Sequence, residues 1–285
     1  MLRRLLLASA LMLPGVAAEA ACPPGEAVAQ LAQSLVLGRP AEPLQGLSLA
    51  DAECARDKLV PLLERHWGPG VGYKVGLTSE AVQRRFGLSE PVIGTIFGMT
   101  VAVRDGAEID ARFGEEVRLG VEADLLVRVR DEGINDAGRD RVAILRHLDQ
   151  VIPFIELPAV GLRGNVDGPN LVAVNVAARF GVVGRPIAPE ATEAFAARLA
   201  GMTVLFSDDA REIARAEGSA LLGHPLDVIP WLVEALGRSG KRLRAGDLVS
   251  LGGFAPSVPA EPGRTYTLRY EGMAAEPVSV SVRFR

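Results

Sequence analysis

Two apolar runs in this chain carry carboxylates in places where a buried strand ordinarily has none. Residues 119–127 read LGVEADLLV and residues 151–158 read VIPFIELP. Side chains alternate faces along a strand, so Glu122 and Asp124 point the same way, about 6.5–7 Å apart along the chain. Val121, Ala123, Leu125 and Val127 then share the other face. The pattern either leaves two acids on a wet face, together with Arg128 and Arg130 on the same side, or aims both acids at one cation. Glu156 sits alone in the second run, where burial is costly unless something compensates its charge. Three carboxylates in two such runs suggest a shared hard cation with oxygen ligands.

Around these runs the chain reads as helices first and strands afterwards. Residues 26–37 have a helical pattern, and Ser48 with Asp51 resembles a capping box opening a second helix, with Pro61 inside it. Gly68-Pro69-Gly70 ends this helical portion. Tyr73 to Leu77 is extended, and Thr78 starts a short helix that stops at Gly87. Beyond Val92, strands are expected at 99–104, 119–130, 151–157, 171–177 and 201–206, with helices at 140–149, 190–200 and 226–236. The chain closes on strands at 266–270 and 278–284, where Val278, Val280, Val282 and Phe284 alternate with polar residues. This order predicts an α+β fold with a large mixed β-core. A doubly wound nucleotide fold is disfavoured, because no Gly-x-Gly-x-x-Gly follows a strand.

Several functions are excluded. With 31 basic and 35 acidic residues the formal charge is −4, and no basic block stands out, so nucleic acid is not an expected partner. His66, His147 and His224 are scattered, with no His-Glu-x-x-His and no Cys/His metal spacing. There is neither a Gly-x-Ser-x-Gly elbow nor a Walker phosphate loop. What remains is the carboxylates and Lys74, in Gly72-Tyr73-Lys74-Val75-Gly76. Lys74 is either a surface lysine on an extended segment or a partly buried one able to polarise or protonate an enolate.

The first residues are read as a targeting segment. Met1-Leu2-Arg3-Arg4 is positive, Leu5 to Leu13 is apolar but too short to span a bilayer, and Ala18-Glu19-Ala20 has a small-x-small cleavage form. A signal peptide over 1–20 and a periplasmic or exported protein are therefore expected, with no membrane span after cleavage. Glu19 stands where a lipoprotein signal wants a large aliphatic residue, so Cys22 is not expected to carry lipid. In an oxidising compartment Cys22 and Cys54 are candidates to pair.

Taken together, "GYKVGLTSEAV", "VEAD", "VIPFIE", "GSALLGHPLDVIPWLVEAL" and the closing "VSVSVRF" resemble the 2-keto-4-pentenoate hydratase and 4-oxalocrotonate decarboxylase group of the fumarylacetoacetate hydrolase superfamily. The resemblance runs from about Gly72 to the C-terminus. It implies a mixed β-sandwich-like catalytic domain over 71–285, preceded by a helical region over 21–70, and a homo-oligomer. It further implies Mg²⁺ or Mn²⁺ held by Glu122, Asp124 and Glu156, with Asp124 standing for the family's second Glu. Lys74 matches the family lysine that binds substrate or assists proton transfer, and Asn175 and Gly252 fall at substrate-binding positions. The implied substrate is a small 2-oxo acid, and the implied reaction is hydration of a 2-hydroxy-2,4-dienoate.

There are also departures from the family pattern. Pro91-Val92-Ile93-Gly94 stands where hydratases have Pro-Asp-Phe/Tyr-Gly, Val174 replaces an acid in Ala-Asp-Asn, and Leu251 stands where a hydroxyl residue is expected before glycine. The first of these, together with Gly252-Gly253, leans towards a decarboxylase of the 4-oxalocrotonate type. The loss of several polar groups and the exported leader support a third expectation, a catalytically impaired protein that binds metal and oxo acid. His224 with Pro225 reads as a helix start rather than a catalytic group.

Overall fold

The structure, a computed structural model, describes residues 22–114 and 116–285. The signal peptide expected over 1–20 lies outside the described residues.

Two helices open the described chain. Gly25–Leu37 ends on Gly38 in the left-handed conformation. Leu49–Trp67 starts at a full capping box, in which Ser48 accepts from the Asp51 amide while the Asp51 carboxylate accepts from the Ser48 amide, and it runs through Pro61. Cys22 is bonded to Cys54 with their Cα atoms 5.5 Å apart, which ties the chain ahead of the first helix to the second. The apolar faces of both helices (Val28, Leu31, Leu35, Leu59, Leu63) share one core with Val92, Phe97 and residues 171–174.

The strands form two main sheets. The larger has eight strands in the spatial order Val92–Phe97, Gly70–Gly76, Leu248–Ser250, Gly120–Val129, Leu148–Leu157, Phe180–Val183, Val103–Arg104, with Val258–Pro259 pairing beside Gly120–Val129. The second has five strands, in the order Glu212–Glu217, Thr203–Asp208, Thr265–Glu271, Val278–Phe284, Ala107–Ile109. Leu125, Val127 and Ile155 of the first sheet lie in one buried cluster with Leu268, Val280 and Val282 of the second. This is the expected α+β, sandwich-like arrangement, with period-2 alternation setting which side chains enter the shared core.

Three expected elements differ. Residues 171–177 are not a strand: Asp167 caps a helix at Gly168–Ala173 by accepting from the Asn170 amide, and Pro169 occupies its first turn. A short apolar run does not by itself distinguish a buried strand from a buried helix. The helix expected at 140–149 covers only Arg141–Arg146, since Leu148 already joins the ladder of Leu148–Leu157 against Val129. Most of 99–104 is a 3-10 turn, Gly98–Val101, and only Val103–Arg104 is strand.

Where the second helix meets the sheet, the buried Arg179 guanidinium lies 4.2 Å from the centre of the Trp67 ring and 3.8 Å from those of Phe113 and Phe180. Burial pushes its pKa down to about 9, and its Nε and Nη1 have no hydrogen-bond partner among the described residues. The three aromatic faces supply the compensating attraction.

The disulfide closes a segment of 32 residues, which on chain-entropy grounds is worth about 3–4 kcal/mol. Cys54→Ser is expected to lose that much stability in denaturant unfolding under oxidising conditions. An unchanged midpoint would show that the bond does not stabilise the fold.

Candidate active site

The site is built on four neighbouring strands of the large sheet, Gly70–Gly76, Leu248–Ser250, Gly120–Val129 and Leu148–Leu157. Glu122 and Glu156 are directly opposite each other in the antiparallel pairing of Gly120–Val129 with Leu148–Leu157. Like charges facing across two strands repel, so the pair needs a cation. Lys74 supplies one: its Nζ is 2.6 Å from Glu156 Oε1, and it also donates to the Val176 carbonyl at 3.0 Å. Lys74 is only 5% exposed and Glu156 2%, so neither charge is relieved by bulk water. Of the expected alternatives for Lys74, the structure takes the buried one.

Asp124 lies on the same face and is fully buried, at 0% exposure. Its Oδ2 accepts from Ser250 Oγ at 2.7 Å, and its Oδ1 accepts from the Gly252 amide at 3.2 Å and from the Leu125 amide. On the backbone, the Tyr270 hydroxyl donates to the Asp124 carbonyl and accepts from the Phe154 amide at 3.3 Å. Tyr270 thus reaches from the second sheet and pins the two acid-bearing strands together. The wet end of this face begins only at Arg128, which pairs with Asp149 through two hydrogen bonds.

The electrostatics show an excess of negative charge. Burial pushes Asp124 up to about 6, against the hydrogen bonds from Ser250 and Leu125 and the charge of Lys74. Burial also pushes Glu156 well above the carboxylate range; Lys74 pulls against this, while Glu122 and Asp124 add to it. Burial works against the Lys74 ammonium, but Glu156, Glu122 and Asp124 outweigh it and hold Lys74 above its ordinary value. One ammonium does not neutralise three carboxylates, so the cluster has room for another positive charge.

The Val176 carbonyl reaches Lys74 through an unusual backbone. Asn175, Val176 and Ala177 have φ of 57°, 53° and 56°, three successive non-glycine residues in the left-handed region. Such a turn is strained, most of all at β-branched Val176. Asn175 locks it, donating from Nδ2 to the Thr95 carbonyl at 2.9 Å and accepting from the Thr95 amide at 2.7 Å. Two glycines make room for it: a Cβ at Gly94 would come within 2.6 Å of the Asn175 carbonyl oxygen, and one at Gly76 within 2.7 Å of Val176 Cγ1.

Two residues expected at substrate-binding positions spend polar groups inside the protein. Both ends of the buried Asn175 amide are used on Thr95, and Asn175 does not line the cavity. Gly252 turns its amide to Asp124 and packs on Thr78, while its neighbour Gly253 faces the open site. Val92, Val174 and Leu251 are all buried in apolar clusters and none lines the cavity. His224 takes the expected helix-start role, its Nδ1 accepting from the Leu226 amide and its Nε2 facing the Ala196 carbonyl at 3.0 Å. Ser250 and Tyr270 were not singled out in the sequence, where neither stands in a motif.

A cavity of about 830 Å³ opens over this face, with Lys74, Glu122, Thr78 and Gly253 on its floor. An all-carboxylate donor set suits a hard cation, and Glu156 Oε2 is buried with no hydrogen-bond partner. Glu122, Asp124 and Glu156 thus fit such an ion in charge and donor type. Among the described residues, however, no three acidic, His or Cys side chains are already drawn into a cage.

The chain is similar to known proteins over most of its length. No family model matches the chain. The chain is 30% identical over 263 residues to a 2-keto-4-pentenoate hydratase of Paraburkholderia xenovorans (strain LB400), covering 88% of this chain and 92% of that one. It is 29% identical over 257 residues to 2-keto-4-pentenoate hydratase 2 of Dechloromonas aromatica (strain RCB), covering 88% and 94%. Among solved structures, 4-oxalocrotonate decarboxylase from Pseudomonas putida G7, complexed with magnesium and adipate, shares the fold, with a TM-score of 0.78 at 24% identity over 92% of this chain and 97% of that one. Fumarylpyruvate hydrolase from Pseudomonas aeruginosa, in complex with Mn²⁺ and pyruvate, aligns with a TM-score of 0.54 at 16% identity over 75% of this chain and 89% of that one.

Removing one partner of a buried ion pair leaves the other uncompensated, at a cost of about 3–5 kcal/mol. Lys74→Met is expected to lose stability on that scale in metal-free denaturant unfolding at mildly alkaline pH, and adding Glu156→Leu should restore most of it. A single variant as stable as the parent protein would show that Lys74 does not compensate Glu156.

Proposed function

Because this chain belongs to the 2-keto-4-pentenoate hydratase family, we propose that it is a divalent-metal-dependent, hydratase-type lyase acting on a 2-hydroxy-2,4-dienoate acid. The observation that carries this reading is the buried Lys74–Glu156 pair facing Glu122 on the cavity floor. Magnesium in the decarboxylase structure and Mn²⁺ in the hydrolase structure support the choice of ion. Glu122, Asp124 and Glu156 would hold Mg²⁺ or Mn²⁺, which when bound supplies Lewis acidity towards the carboxylate and 2-oxo oxygens of the acid.

The chain's own residues do the rest. An ammonium has three N–H donors; Lys74 directs two at Glu156 and Val176, which leaves one for a ligand in the cavity. Held in its charged form, Lys74 stabilises the negative charge that develops on the 2-oxygen as the dienol loses its hydroxyl proton and C5 gains one. Water then adds across C3=C4, the hydroxyl at C4 and the proton at C3, giving a 4-hydroxy-2-oxo acid. Ser250 and Gly252 hold Asp124, and Asn175 holds the Val176 carbonyl that fixes Lys74. Since Val92, Val174 and Leu251 supply no acid and the three carboxylates hold the ion, proton handling on the cavity floor falls to Lys74.

A decarboxylase of the 4-oxalocrotonate type is the second reading, favoured by Val92 and by Gly252-Gly253. Export to an oxidising compartment is part of the proposal, supported by the leader pattern of 1–20 and by the Cys22–Cys54 bond. No helix among the described residues is long and apolar enough to cross a membrane.

With Mg²⁺ or Mn²⁺, the purified protein is expected to consume 2-hydroxypenta-2,4-dienoate, followed as loss of the dienoate absorbance. Release of CO₂ from 2-oxohex-3-enedioate instead would assign the decarboxylase, and oxo-acid binding without turnover of either would leave only a binding protein. Glu156→Gln is expected to weaken Mn²⁺ binding at least about tenfold, measured by calorimetric titration; unchanged affinity would refute the three-acid site.

A further inference from the structure

The cavity is divided by chemistry. Lys74 and Glu122, on strands of the large sheet, line it on one side. A second set of lining residues forms an apolar wall, Leu77, Val82, Phe86, Val160, Leu162 and Leu171, of which all but Val82 pack in the cluster of the N-terminal helices. All six lie in or pack against helical parts of the chain or the 158–162 loop, and five of them stay only half-buried because the cavity is their neighbour. Leu77 is also held in the left-handed region, with φ of 58°, a conformation that leucine adopts at a cost. The charged lining residues Arg85, Glu116 and Arg118 are exposed, so they stand where the cavity meets solvent.

Size sharpens the point. At the roughly 30 Å³ per heavy atom of liquid water, a five-carbon dienoate needs no more than about 240 Å³, against about 830 Å³ available. A small acid seated on Lys74 and Glu122 would leave most of the apolar wall in contact with water. Water in an apolar chamber finds few hydrogen-bond partners, and displacing it with apolar groups is favourable.

We infer that the site takes a 2-oxo acid carrying an apolar tail well beyond five carbons, its acid head on the Lys74–Glu122 floor and its tail along Leu77, Phe86, Val160 and Leu162. This rests on the oxo-acid reading above and specifies the substrate class within it.

The test is calorimetric binding of three saturated, unreactive acids in the presence of Mn²⁺: 2-oxobutanoate, 2-oxohexanoate and 2-oxooctanoate. Burying each methylene is expected to tighten binding about threefold, so the longest acid should bind roughly 80-fold tighter than the shortest. Leu162→Asp should cut that ratio at least about tenfold, and the nearly isosteric Val160→Thr about threefold. Affinity that is flat or falls with chain length, or a ratio unmoved in both variants, overturns the inference while leaving the oxo-acid reading intact. Absence of binding by all three acids overturns both.

Discussion

The buried contact between Lys74 and Glu156 is the constraint around which the rest of the site is organised. Two strands bring Glu122 and Glu156 face to face, and a third brings Lys74 beside them. Without the ammonium, the register that places Ile155 and Val127 in the core would also bury Glu156 unpaired, opposite the like charge of Glu122. A shift by one residue would relieve the charges but turn the whole apolar face to water. The core therefore holds the acids in place, and the lysine makes that tolerable. The compensation is incomplete, since Asp124 and Glu156 are both pushed towards their neutral forms, and this imbalance is what suits the cluster to a further cation.

The position of the lysine depends in turn on a strained stretch of backbone. Left-handed conformations at Asn175, Val176 and Ala177 are unfavourable locally and persist because their surroundings over-determine them. The Asn175 amide is clamped on Thr95, and Gly94 and Gly76 leave space that no other residue would. The result is a backbone carbonyl aimed at Nζ, which holds the ammonium without adding another charge. Asn175 therefore bears on Lys74 through the turn.

Much of this was legible in the sequence, for identifiable reasons. Alternation alone placed Glu122 and Asp124 on one face, and the scarcity of other chemical motifs drew attention to Lys74. The opposition of Glu122 and Glu156 was not legible, because strand register is a long-range property. Residues 171–177 misled, since an apolar run reads alike as strand or buried helix, and the cap at Asp167 is a weak signal. Nothing in the sequence marks Tyr270 or Ser250, because an alternating strand offers many such residues. Only the structure shows that Tyr270 reaches the Asp124 carbonyl and that Ser250 reaches the Asp124 carboxylate.

The N-terminal helices belong to this account through the cavity's far wall. Leu171 packs in the same cluster as Leu31, Leu59 and Leu63, with Leu162 and Val160 against it, and those three residues also face the cavity. The sheet supplies a charged floor fixed by long ladders, whereas the wall is made by short helical pieces and a loop with few ladder bonds of their own. Such a wall keeps its shape only if what lies behind it is rigid. The Cys22–Cys54 bond ties the chain ahead of the first helix to the second turn of the second helix, so a link remote from the chemistry bears on the shape of the space where a tail would lie. The floor sets which head group binds, and the helices, through the wall they back, set how much of a tail can follow it.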